Sequence, residues 1–210
     1  MEADLFQFEW AVDQDGYEIS EVPADTGRLH LLSTRKPYKK ICRIGGPWKF
    51  YRPLEKEPAL ARNFATLSQN EPAVLKFVSE FGLLESPRAD QQGTEWEKLE
   101  SIFHKIRDTR QIYHLIGEGL QNEAADLFRK HLRIRLDGYP VMGTKRVPRL
   151  EVAPLSLYSF ILLQIVQDMS GAKQYGQCRE CQKWFPARAR KEYCSTRCRT
   201  AAHRKKETRK

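Results

Sequence analysis

The sequence predicts an α+β fold in which a mainly helical body with a small β-rich N-terminal part precedes a C-terminal cysteine-rich module. Short apolar clusters open the chain, helical periodicity begins near Pro58, and four closely spaced cysteines lie near the end. A chain of 210 residues, 40% of them hydrophobic, can bury one sizeable core and carry a small appendage. We therefore predict a body over residues 1–172 and a module over residues 173–210.

The first 55 residues of the body predict short β-strands. Apolar clusters alternate there with Asp-Gly, Thr-Gly and Gly-Gly-Pro sequences, which are typical of turns between strands. The clusters occupy residues 5–10, 29–32 and 48–51. No strand is predicted between residue 55 and the hairpin described below.

Residues 56–172 predict a mainly helical region, because apolar side chains recur there every three or four positions. The predicted helices lie near 60–67, over 74–81 with a stop at Gly82, from a capping box at Thr94 and Glu97 to Gly117, over 122–132 and over 155–169. Residues 133–152 predict a hairpin or an extended loop. The last helix is the most apolar, so we expect it at the centre of the core.

Four cysteines in two short pairs predict a metal site in the module. Cys178 and Cys181 form the first pair, Cys194 and Cys198 form the second, and twelve residues separate the pairs. Each pair can turn two sulfurs toward one point, and four thiolates suit a tetrahedral structural zinc. We therefore predict one structural zinc ion, with His203 unnecessary as a ligand because four thiolates complete the tetrahedron.

Positive charge is concentrated at the end of the chain. Residues 188–210 contain ten Lys and Arg against two Glu, a net charge of +8, whereas the other 187 residues carry a net charge of +1. A zinc ion with four thiolates has a net charge of −2, so part of this excess serves to neutralise the metal site. The remainder predicts an anionic partner, most often nucleic acid.

The basic residues of the module fall on a predicted terminal helix. Ser195 is suited to cap a helix from about Thr196 onward, with Cys194 before it and Cys198 on its first turn. The candidate nucleic-acid-binding residues are Arg197, Arg199, His203, Arg204, Lys206 and Lys210. Helical spacing puts Arg199, His203, Lys206 and Lys210 on one stripe and Arg197 with Arg204 on another face. A solvated terminal helix would have the same pattern.

Motifs of catalysis and of membrane insertion are missing from the sequence. It contains no HExxH, GxSxG, Walker A or GxGxxG motif, and four thiolates leave a zinc ion no open position for catalysis. We therefore expect no catalytic residues and no enzymatic activity. The N-terminus has no signal-peptide pattern, and the apolar stretch over 157–166 is too short to span a bilayer. We expect a cytoplasmic protein with reduced cysteines and no membrane partner.

The module resembles the zinc finger of the bacterial CGNR family. The resemblance rests on Cys178-x2-Cys181-x2-Trp184-Phe185 and on Tyr193-Cys194-Ser195-x2-Cys198-Arg199-x-Ala201-Ala202-x-Arg204. In that family a larger domain called ABATE precedes the finger, as the body does here. The resemblance implies a stress-related transcription regulator whose finger contacts DNA. After Cys198 this chain has Arg-Thr-Ala in place of Gly-Asn-Arg, so a related group of bacterial zinc-finger proteins is the alternative.

Together these features predict a zinc-binding, DNA-binding transcription regulator with a treble-clef-like finger. Three alternatives stay open: a structural or protein-interaction module, an RNA-binding protein, and an enzyme whose site lies in the body. An exposed Trp184 would favour single-stranded RNA, because bases stack on aromatic side chains. A cleft with titratable groups would favour an enzyme. The sequence does not identify a small-molecule ligand for the body.

Overall fold

The N-terminal strands form two separate antiparallel sheets in the computed structural model, which describes residues 8–23, 36–85, 88–89, 95–131, 136–142, 148–170, 175–187 and 191–207. The strands in this part are β1 (Trp10–Asp13), β2 (Tyr17–Val22), β3 (Tyr38–Arg43), β4 (Trp48–Tyr51), β5 (Arg88–Ala89) and β6 (Glu95–Lys98). Strands β1 and β4 form a two-stranded ribbon, and the other four form a sheet in the order β2-β3-β6-β5. Of the predicted clusters, residues 48–51 form β4 and residue 10 begins β1, whereas residues 5–7 and 29–32 lie outside the described residues. Strands β5 and β6 lie in the region that was predicted to be helical.

The predicted capping box at Thr94 and Glu97 is wrong. Residues 95–98 form strand β6, and helix α4 (Leu99–Gly117) begins after Lys98, whose side chain makes no cap hydrogen bond. Glu97 is buried, and its two carboxylate oxygens accept from the Leu84 N–H at 2.9 Å and from Lys105 Nζ at 2.7 Å. A buried carboxylate needs such partners. Because β6 pairs with β3, Glu97 lies where both the Leu84 N–H and Lys105 reach its carboxylate.

Four of the five remaining helices of the body agree with the predicted periodicity, whereas the first, over residues 53–56, lies where no helix is predicted. These five helices are α1 (Pro53–Lys56), α2 (Leu60–Ala65), α3 (Glu71–Phe81), α5 (Gln121–His131) and α6 (Leu157–Met169). Helix α3 ends as predicted at Gly82, whose φ of +84° is in a region that favours glycine. Strands β7 (Leu136–Met142) and β8 (Pro148–Pro154) pair antiparallel, which confirms the hairpin form of the prediction for residues 133–152.

Helix α6 lies at the centre of the core, as expected. Phe160, Ile161, Leu162 and Ile165 are fully buried in it, and Ser156 caps its N-terminus by accepting from the Ser159 N–H. The buried side-chain amide of Gln164 accepts from the Ala61 N–H and donates to the Pro58 carbonyl oxygen. Helix α6 therefore fixes the start of α2, and α2 is the helix that meets the module.

We expect Leu162→Ala to lower the free energy of unfolding by about 2–5 kcal/mol, because the side chain is 0% exposed and its removal leaves a cavity. Val166→Ala is the matched control, since Val166 lies on the same helix and is 43% exposed. Urea denaturation of the full chain measures both changes. Equal losses in the two variants would show that α6 is not the centre of the core.

Candidate metal centre and basic helix

The first cysteine pair lies in the turn between two short strands of the module. Strands β9 (Tyr175–Gln177) and β10 (Trp184–Pro186) pair antiparallel, and the turn is closed by hydrogen bonds from the Cys178 N–H to the Lys183 carbonyl oxygen and from the Gln182 N–H to the Cys178 carbonyl oxygen. Gln182 has a φ of +59°, which is uncommon for a residue with a side chain. This tight reversal turns Cys178 and Cys181 toward the same point.

The second cysteine pair lies at the start of helix α7 (Thr196–Glu207). Ser195 Oγ accepts a hydrogen bond from the Cys198 N–H at 3.3 Å, so Ser195 caps the helix as predicted. Cys194 therefore precedes the helix, and Cys198 lies on its first turn. A thiolate at this end of a helix is favoured by the positive end of the helix dipole.

The four sulfurs are close enough to ligate one ion. All four Sγ atoms lie within 4.8 Å of one another, with Cys194 Sγ 3.6 Å from Cys181 Sγ and 3.5 Å from Cys198 Sγ. Four sulfurs at a Zn–S distance of about 2.3 Å would be separated by roughly 3.8 Å along each edge of the tetrahedron. The cluster therefore has the size that a tetrahedral tetrathiolate ion needs. Exposed His203 is not part of this cluster.

The protonation of the cluster depends on burial and on contacts between its thiols. Burial alone would raise the pKa of the Cys178 thiol, but backbone N–H groups of Cys181, Cys194 and Glu180 lower it to about 6. Burial raises the pKa of Cys194 to about 12, and neighbouring thiols add to the increase. Crowded thiolates repel one another, and a bound metal ion supplies the positive charge that allows all of them to ionise.

Arg62 of helix α2 connects the body to the module. Its guanidinium lies over the rings of Tyr175 at 4.8 Å and Trp184 at 5.1 Å, both in the module, and over Tyr113 of the body at 4.9 Å. Its Nε donates to buried Asp168 at 2.9 Å, and Tyr113 OH donates to the same carboxylate oxygen at 2.8 Å. This group, hereafter the Arg62 junction, joins α2, α4 and α6 to both strands of the module.

Hydrogen bonds beside the Arg62 junction align the two parts. Asn63 accepts from the Trp184 N–H at 2.9 Å and donates to the Trp184 carbonyl oxygen at 3.3 Å, as a strand neighbour would. Tyr175 OH donates to the Pro58 carbonyl oxygen at 3.4 Å, and Lys183 lies 3.9 Å from Glu57. Strand β9 begins at Tyr175, and residues 171–174 lie outside the described residues. The division of the chain at residue 172 stays a prediction.

Sequence reasoning missed the Arg62 junction. Arg62 has no partner at helical spacing: Asp168 is 106 positions away in the chain, and Asn63 and Trp184 are separated by 121 positions. The aromatic pair Trp184-Phe185 of the module is visible in the sequence, but the pair by itself does not indicate a partner in the body. Phe185 is buried within the module, but Trp184 faces the body.

Five of the six candidate nucleic-acid-binding residues lie on α7, and four of these have described side chains that are exposed. These four are Arg197, Arg199, His203 and Arg204. The side chain of Lys206 and the whole of Lys210 lie outside the described residues. Lys205 forms an ion pair with Glu180, and Arg179 forms one with Glu192 at 3.1 Å. Within the described part of the chain, no carboxylate lies within 4.0 Å of Arg197 or Arg199.

Comparison with known proteins does not assign the chain to a family. No family model matches the sequence, and no curated protein matches it. Among the described residues, no helix is both long enough and apolar enough to cross a bilayer. The functional conclusion therefore depends on the metal cluster, the Arg62 junction and the charges of α7.

Proposed function

We propose that the four cysteines hold one structural zinc ion in a treble-clef-like finger. The observation that carries this proposal is the cluster of four sulfurs within 4.8 Å of one another. Thiolate ligands in a tetrahedral arrangement favour zinc, and the preceding hairpin and following helix supply one cysteine pair each. With four protein ligands, the ion has no open position and acts on folding rather than on a substrate.

The partner that best fits the finger is DNA, and the corresponding role is transcription regulation. The charge of the last 23 residues and the exposed arginines of α7 support this proposal, because phosphate contacts by Lys and Arg provide most of the affinity for nucleic acid. The resemblance to CGNR fingers, which implies DNA contact, supports it as well. A sensory role for the body is a part of the same proposal.

The contacts of Trp184 within the protein favour double-stranded DNA over single-stranded RNA as the partner of the finger. The RNA alternative required an exposed Trp184 on which bases could stack. Trp184 is half-buried, and Arg62 lies over its ring. Both its backbone N–H and its carbonyl oxygen form hydrogen bonds with the side chain of Asn63. Its ring is therefore engaged with the body, which leaves the cations of α7 as the main feature that a nucleic acid would meet.

We expect Arg197→Ala with Arg199→Ala to weaken binding to duplex DNA and to reduce the slope of log affinity against log salt concentration by about 1.8. The reason is that each lost phosphate contact removes about 0.9 from the slope. Fluorescence anisotropy over a series of salt concentrations measures both quantities. Arg199→Ala with Lys206→Ala and Lys210→Ala, along the predicted stripe, should remove most of the affinity while the zinc content stays unchanged.

The matched control removes two arginines from the body. Arg107 and Arg129 are 60% and 75% exposed in their side chains and lie on α4 and α5, so their replacement by alanine lowers the net charge equally. This control should bind DNA as tightly as the parent. Equal weakening in both variants would show that only net charge matters. A parent protein that binds no DNA at low salt would favour the protein-interaction alternative.

A further inference from the structure

The four cysteines of the cluster differ in how easily a small reagent can reach them. Cys178 is fully buried, Cys194 and Cys198 are half-buried, and Cys181 is exposed. Access by the reagent is one of the factors that decide which thiolate of a cluster is oxidised first. Cys181 is therefore the sulfur through which an oxidant would enter the cluster.

Cys181 lines a cleft between the two parts of the protein. The volume of the cleft is about 460 Å³, Cys181, Gln182 and Lys183 line its module side, and residues of α2 and α3 such as Leu60 and Phe77 line its body side. A hydroperoxide is much smaller than this volume. The cleft thus gives a small oxidant a path to Cys181 that does not require the module to move.

Cys194 is well placed to form a disulfide with an oxidised Cys181. Its Sγ lies 3.6 Å from Cys181 Sγ, so a disulfide needs only a small approach of the two sulfurs. Cys181 and Cys194 also belong to different cysteine pairs. A bond between them would remove one ligand from the turn between β9 and β10 and one from the residue before α7, so neither pair could continue to hold the ion.

The oxidised turn is directly connected to the Arg62 junction. Cys181 and Trp184 are separated by two residues, and one of these, Lys183, faces Glu57 of the body at 3.9 Å. Trp184 in turn bonds to Asn63 and contacts Arg62. A rearrangement of the turn therefore reaches the residues that attach the module to the body.

We infer that Cys181 is an oxidation site for hydroperoxides, and that disulfide formation between Cys181 and Cys194 releases the metal and detaches the module from the Arg62 junction. The Cys181 thiolate attacks one peroxide oxygen, which gives a sulfenic acid and, for hydrogen peroxide, hydroxide. The Cys194 thiolate then attacks the sulfenic sulfur, which forms the disulfide and a second hydroxide. Two thiolates supply the two electrons that reduce the peroxide. This inference rests on the proposed metal site and not on DNA binding.

The test treats the zinc-loaded full chain with a small molar excess of hydrogen peroxide. We expect one equivalent of zinc to be released, a Cys181–Cys194 disulfide in peptide maps after alkylation, and faster hydrogen exchange in residues 59–65 and 175–187. A thiol reductant with added zinc should reverse all three changes. Cys42→Ser should behave as the parent, because Cys42 lies outside the cluster.

The variant Arg62→Ala separates oxidation from detachment. It should still form the disulfide and release zinc, but residues 59–65 should exchange rapidly before peroxide is added. Three results for the zinc-loaded parent would overturn the inference but not the proposed metal site. They are retention of zinc after peroxide treatment, a first disulfide between other cysteines, and slow hydrogen exchange that persists after zinc is lost. A purified protein with no metal before peroxide is added would contradict the proposed metal site and the inference together.

Discussion

Cys194→Ser is expected to abolish metal binding and to unfold the module while helix α6 and the core of the body stay folded. A structural zinc contributes on the order of 10–16 kcal/mol to the folding of a small finger, and this module has little apolar material besides Phe185. The body, in contrast, has a large buried cluster of its own. Metal analysis and hydrogen exchange of residues 191–207 measure the two effects.

The control for this variant is Cys42→Ser, which replaces the one cysteine outside the cluster. Cys42 lies on β3, where it is buried and 3.3 Å from Ser20 Oγ, so its replacement should leave zinc bound and α7 protected from exchange. A Cys194→Ser protein that retains a protected α7 without metal would contradict the coupling of metal binding to folding. Loss of structure throughout the chain would show that body and module form a single cooperative unit.

Arg62→Ala is expected to lower the free energy of unfolding by about 3–5 kcal/mol and to loosen the module. The substitution removes the guanidinium that pairs with the Asp168 side chain, which is 2% exposed, and breaking a buried ion pair in this way costs about that much. It also removes the guanidinium from the rings of Tyr113, Tyr175 and Trp184. Urea denaturation measures the loss of stability, and hydrogen exchange of residues 175–187 measures the loosening of the module.

Two further variants identify the cause of this loss. Arg107→Ala removes an arginine that is 60% exposed on α4 and should change the stability by less than about 1 kcal/mol. Asp168→Asn should be strongly destabilising in the parent but much less so with Arg62→Ala, because the ion pair between these two residues is then already lost. Additive losses in the double variant would show that Arg62 and Asp168 do not interact, which would contradict the Arg62 junction.

The sequence predicted features whose cause is local. The spacing of Cys178 and Cys181 predicts a tight turn, and the structure has this turn. Ser195 predicts a helix start between Cys194 and Cys198, and the structure has this helix start as well. The stop of α3 at Gly82 and the burial of α6 were predictable for the same reason, since each depends on neighbours within one or two turns.

Features that depend on distant residues were not predictable. The pattern from Thr94 to Glu97 is typical of a helix start. In the structure, however, Glu97 lies on strand β6, which pairs with β3, and its buried carboxylate forms an ion pair with Lys105. The Arg62 junction likewise depends on residues more than 100 positions away. A single sequence carries no periodic signal for such contacts, so the attachment of the module to the body could be found only in three dimensions.

The metal content of the purified full chain tests the central claim most directly. Native mass spectrometry should show one zinc ion per chain. Replacement of zinc by Co²⁺ should give the absorption of a tetrahedral site with four thiolate ligands, and Cys42→Ser should leave this spectrum unchanged. A chain that carries no metal under reducing conditions while residues 191–207 remain folded, or a cobalt spectrum that requires an open coordination position, would contradict the proposed structural zinc finger.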